Sequence, residues 1–98
     1  MLTTPIYKNI SSIATTTLIT KGQGFGSVDK ITISNHDNSD QVIIKLYLYD
    51  GTNTYVITET TIPPLVTLVL DDNLRFSNGT YDLKIDTSTT AEITVIIK

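Results

Sequence analysis

Branching at Cβ dominates this chain: 18 threonines, 14 isoleucines and 6 valines make 38 of its 98 residues. Such side chains are stiff at χ1, crowd the turns of a helix and sit well on a pleated surface. Ala14 and Ala91 are the only alanines, so the best helix former is nearly missing as well. The chain therefore reads as all-β. Its length gives one domain with one modest core, and a cofactor domain joined to a substrate domain does not fit.

Turn residues recur about every 8–12 positions, the spacing of a sandwich or barrel. Residues 1–12 read as an N-terminal arm or edge strand reached through Pro5, and residues 13–98 as the sandwich domain. Strands are predicted over 14–21, 28–34, 41–49, 54–60, 65–70, 74–76, 81–86 and 92–98. Gly22, Gly24 and Gly26 stop the first, and the polar run 35–40 separates the second from the third. Asp50-Gly51 is a hairpin cue. Pro63-Pro64 interrupts pairing because neither residue can donate to a ladder. The expectation is one antiparallel β-sandwich of seven to eight strands, immunoglobulin-like or jelly-roll-like, since alternation does not reveal strand order.

The faces differ in character. Tyr81, Leu83 and Ile85 oppose Thr80, Asp82, Lys84 and Asp86, while Ala91, Ile93, Val95 and Ile97 oppose Glu92, Thr94, Ile96 and Lys98. A period of two gives each strand one core face and one largely solvated face. Val42, Ile44, Leu46 and Leu48 form another core face, but Ile43, Lys45, Tyr47 and Tyr49 behind them are amphipathic. The next strand adds Tyr55 and Ile57 on one face and Val56 on the other. Tyrosine is enriched at interfaces, where its ring is buried and its hydroxyl stays bonded or wet. Charged residues are only 17% of the chain, against about 25% in an average soluble domain. A small β domain with so little charge is expected to bury part of its outside against other subunits.

Several functions are excluded by what the chain lacks. With no cysteine there is no disulfide framework, thiolate metal site or cysteine nucleophile, and His36 alone cannot build an imidazole cluster. A formal charge of −3 offers no basic stripe for nucleic acid. No run is apolar and long enough for a signal peptide or membrane span, which predicts a soluble chain not exported by the general secretion route. Gly22-Gln23-Gly24-Phe25-Gly26 has the wrong spacing for a dinucleotide loop, and a strand follows where a helix is needed. Residues 35–40 and Asp71-Asp72-Asn73 offer oxygen ligands, but Asp40 and Leu46 fall where a calcium-binding EF-hand needs glycine and glutamate. His36, with Ser34, Asp37, Ser39 and Asp40 nearby, reads as a solvated turn residue, and Glu59 and Glu92 are not paired as a glycosidase requires. Asn9-Ile10-Ser11 and Asn78-Gly79-Thr80 match a glycosylation sequon that arises by chance in such a composition. No enzymatic function, catalytic residue, cofactor or metal site is expected.

Residues 18–98, roughly four fifths of the chain, carry a recognisable order of phrases. A glycine-rich turn precedes Ile31-Thr32-Ile33, then Leu46-Tyr47-Leu48-Tyr49-Asp50-Gly51-Thr52, Ile62-Pro63-Pro64, an aliphatic strand to Leu70 and a closing hairpin ending in Val95-Ile96-Ile97. This order resembles the small all-β virion accessory proteins of tailed bacteriophages, namely capsid decoration or cement proteins and neck or tail attachment proteins. The resemblance implies a non-enzymatic structural protein of a virion, made in the host cytoplasm and binding a repeating shell or tube in many symmetric copies. Its implied partners are capsid or neck and tail subunits and further copies of itself, with no nucleic acid, membrane or small-molecule substrate. No catalytic residue is carried over. The candidate interface, taken from the faces above, is Ile43, Tyr47, Tyr49, Tyr55 and Ile57, with Ile6 and Tyr7 on the arm. The alternative is a carbohydrate-binding module, since Tyr47 and Tyr49 lie two apart on a strand, roughly 6.8 Å, a spacing suited to stacking on sugar rings.

Overall fold

The computed structural model of the chain describes residues 5–23, 27–71 and 73–98. Four residues of the expected arm (1–4), residues 24–26 of the glycine-rich turn and Asp72 lie outside the described residues. Among the described residues ten strands follow one another: β1 (Ile6–Ile10), β2 (Ala14–Ile19), β3 (Ser27–Val28), β4 (Ile31–Asn35), β5 (Val42–Tyr49), β6 (Thr54–Ile62), β7 (Val66–Leu70), β8 (Leu74–Arg75), β9 (Asp82–Thr87) and β10 (Ile93–Ile97). The described residues contain no helix, in keeping with the β-branched composition.

Eight of these strands make two four-stranded sheets, ordered β1-β10-β4-β7 and β2-β9-β5-β6, while β3 and β8 pair separately. Every pairing is antiparallel. The chain changes sheet from β1 to β2, from β2 by way of β3 to β4, from β4 to β5, from β6 to β7, from β7 by way of β8 to β9 and from β9 to β10, leaving β5–β6 as the hairpin within one sheet among the described residues. That winding is a jelly roll, not an immunoglobulin sandwich, whose first two strands share a sheet. The extra pair arises where one strand over 28–34 was expected. The N–H groups of Asp29 and Lys30 both donate to Lys98 O, at 2.7 and 3.1 Å, which turns the backbone out of the ladder between β3 and β4.

The inner faces meet in one core. Ile31, Ile33, Ile93, Val95 and Ile97 of the first sheet pack with Val42, Ile44, Leu46, Leu83 and Ile85 of the second. Each such side chain contributes about 1.5–3 kcal/mol relative to leaving it exposed. The buried polar residues Asn35 and Thr87 find backbone partners: Asn35 Nδ2 donates to Asp40 O and Ile62 O, and Thr87 Oγ1 donates to Ser12 O. Asx turns hold the loops. Asp37 Oδ2 accepts from the N–H groups of Asp40 and Ser39, and Asp50 Oδ1 from those of Asn53 and Thr52, which holds both carboxyls below their ordinary pKa.

Candidate functional site

The β2-β9-β5-β6 sheet turns Ile43, Lys45, Tyr47 and Tyr49 outward, as the alternation requires, but it does not leave all four free. Across β9 and β5, Lys45 stands opposite Asp86, Tyr47 opposite Lys84, and Tyr49 opposite Asp82. Tyr47 is only 7% exposed. Its hydroxyl donates to Asp86 Oδ1 at 2.9 Å, and the same oxygen accepts from Thr15 Oγ1 on β2 at 2.6 Å. Burial raises the Tyr47 pKa above its ordinary value, and the bonded Asp86 carboxylate adds to the shift. Lysine ammonium groups lie over both rings, Lys45 Nζ 5.6 Å from the Tyr47 centroid and Lys84 Nζ 5.0 Å from that of Tyr49. The Tyr49 hydroxyl is also used, donating to Gly51 O at 3.0 Å. The flat aromatic platform expected of a sugar-binding module is thus covered by the protein's own side chains.

The β5–β6 hairpin divides the expected patch. Leu46 faces Thr58 but Tyr47 faces Val56, so Ile57 is an extra residue in β6 and forms a bulge. Beyond it Tyr55 stands opposite Leu48, on the inward side of the sheet, where its ring meets Tyr81 edge to face at 5.8 Å. Ile57 packs against the core and borders a cavity of about 320 Å³ with Ile31, Leu70 and Leu74. Ile43, Tyr47 and Tyr49 therefore lie on one side of the sheet, and Tyr55 and Ile57 on the other. Ile43 and Tyr55 stay exposed, at 44% and 51%. Alternation within each strand does not reveal this division, because the face of β5 that Tyr55 shares is set by the turn register, which pairs Tyr49 with Thr54 and so Leu48 with Tyr55.

The N-terminal pair is divided too. Ile6 stands opposite Ile97 and packs, partly buried, against the core as a residue of edge strand β1 and not of an extended arm. Tyr7 stands opposite Ile96 on the outer face and is 66% exposed. Ladder register extends this row through Thr32 to Val69, so one line of side chains crosses the whole β1-β10-β4-β7 sheet. Val56, Leu65, Val66 and Val69 are exposed apolar residues that alternation does not single out. Three of them lie on or beside β7, whose place at a sheet edge is a property of topology and not of pattern.

His36 is bonded, not merely solvated. Its Nδ1 lies 3.5 Å from the Glu92 carboxylate and its Nε2 3.0 Å from Thr94 Oγ1, beside a hollow of about 300 Å³. The order acid, imidazole, hydroxyl resembles a hydrolytic triad, but the Thr94 hydroxyl donates to Asn9 Oδ1 at 2.8 Å, so its proton is directed away from the imidazole. Among the described residues no three His, Asp or Glu side chains gather as a metal site would require. Asn78 of the second sequon is buried, and its Nδ2 donates to Thr20 O and Tyr81 O, which removes it as a glycan acceptor in the folded chain.

The fold has solved counterparts. Over its full length the chain is similar to a pentameric capsid protein isolated from metagenomic phage sequences, with a TM-score of 0.61 and 19% identity. The chain spans 62% of the length of that capsid protein. It is also similar to the nucleoplasmin-like N-terminal domain of Drosophila FKBP39, with a TM-score of 0.53 and 17% identity over 95% of this chain and 84% of that domain. At these identities the likeness is one of fold. No protein-family model and no curated protein matches the chain.

Proposed function

We propose that this chain is a non-enzymatic structural protein of a viral particle, a homo-oligomer that decorates or cements a repeating shell. The observation that carries the reading is the jelly roll itself, which matches a pentameric phage capsid protein along the whole of this chain. Low charge and exposed apolar side chains on both sheets agree with an exterior covered by other subunits. Of the seven candidate contacts, Tyr7, Ile43 and Tyr55 supply the accessible surface, with Tyr49 at their margin. Tyr47, Ile6 and Ile57 act behind them by holding the sheets in shape. Many weak copies of such a contact bind a lattice strongly, because each bound copy raises the effective concentration of the next.

Light scattering of the purified chain, alone and with I43K/Y55K, tests this. The wild-type chain should be an oligomer. The double variant should fall in mass while remaining folded, with only a modest drop in thermal melt from the lost Tyr55–Tyr81 ring contact. A monomeric wild-type chain overturns the homo-oligomer. Cosedimentation with phage particles stripped of their accessory proteins tests the shell contact, and particles that leave the chain in the supernatant overturn it.

A further inference from the structure

The sandwich has four edge strands, β1 and β7 in one sheet and β2 and β6 in the other. An edge strand presents unpaired N–H and C=O groups, and soluble proteins guard such edges with charge, bulges or proline. Three of these edges are guarded. β1 carries Lys8 opposite inward-facing Val95, β2 shifts register between Thr17 and Ile19, and β6 has Glu59 and the bulge at Ile57. Within Val66–Leu70 β7 has none of these, Pro63 and Pro64 lying before the strand and not in it. It pairs residue for residue with β4, from Asn35↔Val66 to Ile31↔Leu70, and its sequence Val-Thr-Leu-Val-Leu carries no charge. Val66 and Val69 are 42% and 46% exposed.

A second observation points to the same edge. Leu65, which leads into β7, has φ of 62° and is 70% exposed. That backbone region favours glycine or asparagine. An isolated domain gains nothing from a large apolar side chain held there in water, whereas a partner along β7 would cover it.

We infer that β7 is an assembly edge, pairing antiparallel about a two-fold axis with β7 of a second copy of this chain and joining two β1-β10-β4-β7 sheets into one. Free main-chain donors and acceptors along an edge are complementary to another extended strand. The sequence of β7 suits itself as that strand. With the axis at Leu68, Leu68 meets Leu68, Thr67 meets Val69 and Val66 meets Leu70, so every cross-strand pair is aliphatic or β-branched. The first charge after the strand, Asp71, comes opposite Leu65 of the second copy, so no like charges meet. The contact is isologous, the arrangement that closes on itself without growing a filament. It rests on the edge geometry and not on the virion reading.

Two outward-facing positions test it without touching the core. T67K/V69K sets like charges opposite each other across the axis, and T67K/V69E sets opposite charges there in the same register. Light scattering should show the wild-type chain as an even-numbered assembly, T67K/V69K at half that mass, and T67K/V69E at the wild-type mass. A wild-type chain that is monomeric or odd-numbered overturns the proposal. So does a T67K/V69K variant that keeps the wild-type mass, or a T67K/V69E variant that is halved as well. Failure here with an intact oligomer that I43K/Y55K disrupts would leave the structural role in a viral particle standing.

Discussion

The hydroxyl of Tyr47 and the carboxylate of Asp86 are bonded across two neighbouring strands of one sheet, at 2.9 Å, with Thr15 bonded to the same oxygen from a third. This link fastens β2, β9 and β5 together on their outer side, under a cover of lysine side chains. Tyr47 therefore belongs to the folding of the domain before it belongs to any docking surface. Y47A should cost about 2–4 kcal/mol of stability, from lost packing and an abandoned hydrogen-bond partner. I43K, on the exposed part of the same strand, should change stability by less than about 1 kcal/mol. Urea denaturation of the two variants checks the ranking, and equal losses would contradict the division of roles.

The same pair gives the domain an alkaline limit. The Tyr47 pKa is raised above its ordinary value of 10.0, chiefly by burial and then by Asp86. In the folded chain the phenol holds its proton more tightly than in the unfolded chain. Its contribution is thus fully present below about pH 10 and fades as pH rises from there through the higher folded pKa. Denaturation midpoints measured from pH 8 to 12 should fall more steeply for wild type than for Y47F, which has no proton to lose at this site. Parallel curves would sink the assignment.

How much of this was visible in the sequence depends on which level of structure is asked about. The inward rows of β5, β9 and β10 follow from alternation alone, because period two and burial are the same physical fact there. The jelly-roll winding did not, since the pairing of β1 with β10 joins residues at opposite ends of the chain and leaves no local trace. The candidate patch was legible as composition, an excess of tyrosine and isoleucine on a hairpin, but not as geometry. The turn pairs Tyr49 with Thr54, which puts Tyr55 on the face of Leu48, and long lysines cover rings that pattern alone leaves bare. Asn35 shows the same limit from the other side. Its polarity placed it in a turn, while its position in β4, two residues after Ile33, puts it on the core face.

Asn35 is 1% exposed and fully used. Its Nδ2 donates to Asp40 O at 2.8 Å and Ile62 O at 3.0 Å, and its Oδ1 accepts from Asp37 N–H at 3.1 Å. It therefore ties the end of β4 to the start of β5 and the end of β6. N35A leaves these three backbone groups without their partner and should cost about 2–4 kcal/mol. N35D should cost more at neutral pH, because a carboxylate would face two carbonyl oxygens with no proton to share. Acid should return part of that loss, since the protonated carboxyl regains one donor. Thermal melts of N35A and N35D at pH 7 and pH 4 separate these effects. An N35D variant as stable as wild type at pH 7 would show that the carboxamide is not the tie described.

Leu65 allows stability and assembly to be separated at one position. Its left-handed backbone costs roughly 1–2 kcal/mol for a residue with an ordinary Cβ, and asparagine tolerates that region better. Since Leu65 is 70% exposed in the isolated domain, replacing it removes little buried surface. L65N introduced into the T67K/V69K background, where edge pairing is switched off, should therefore raise stability by up to about 1 kcal/mol. In the wild-type background the same substitution takes an apolar side chain away from the paired edge, so the assembly should dissociate at a higher protein concentration. Opposite signs for one substitution distinguish strain retained for the sake of an interface from strain that is merely tolerated. If L65N lowers stability in the T67K/V69K background, the side chain has a role within the domain and Leu65 no longer points to the edge.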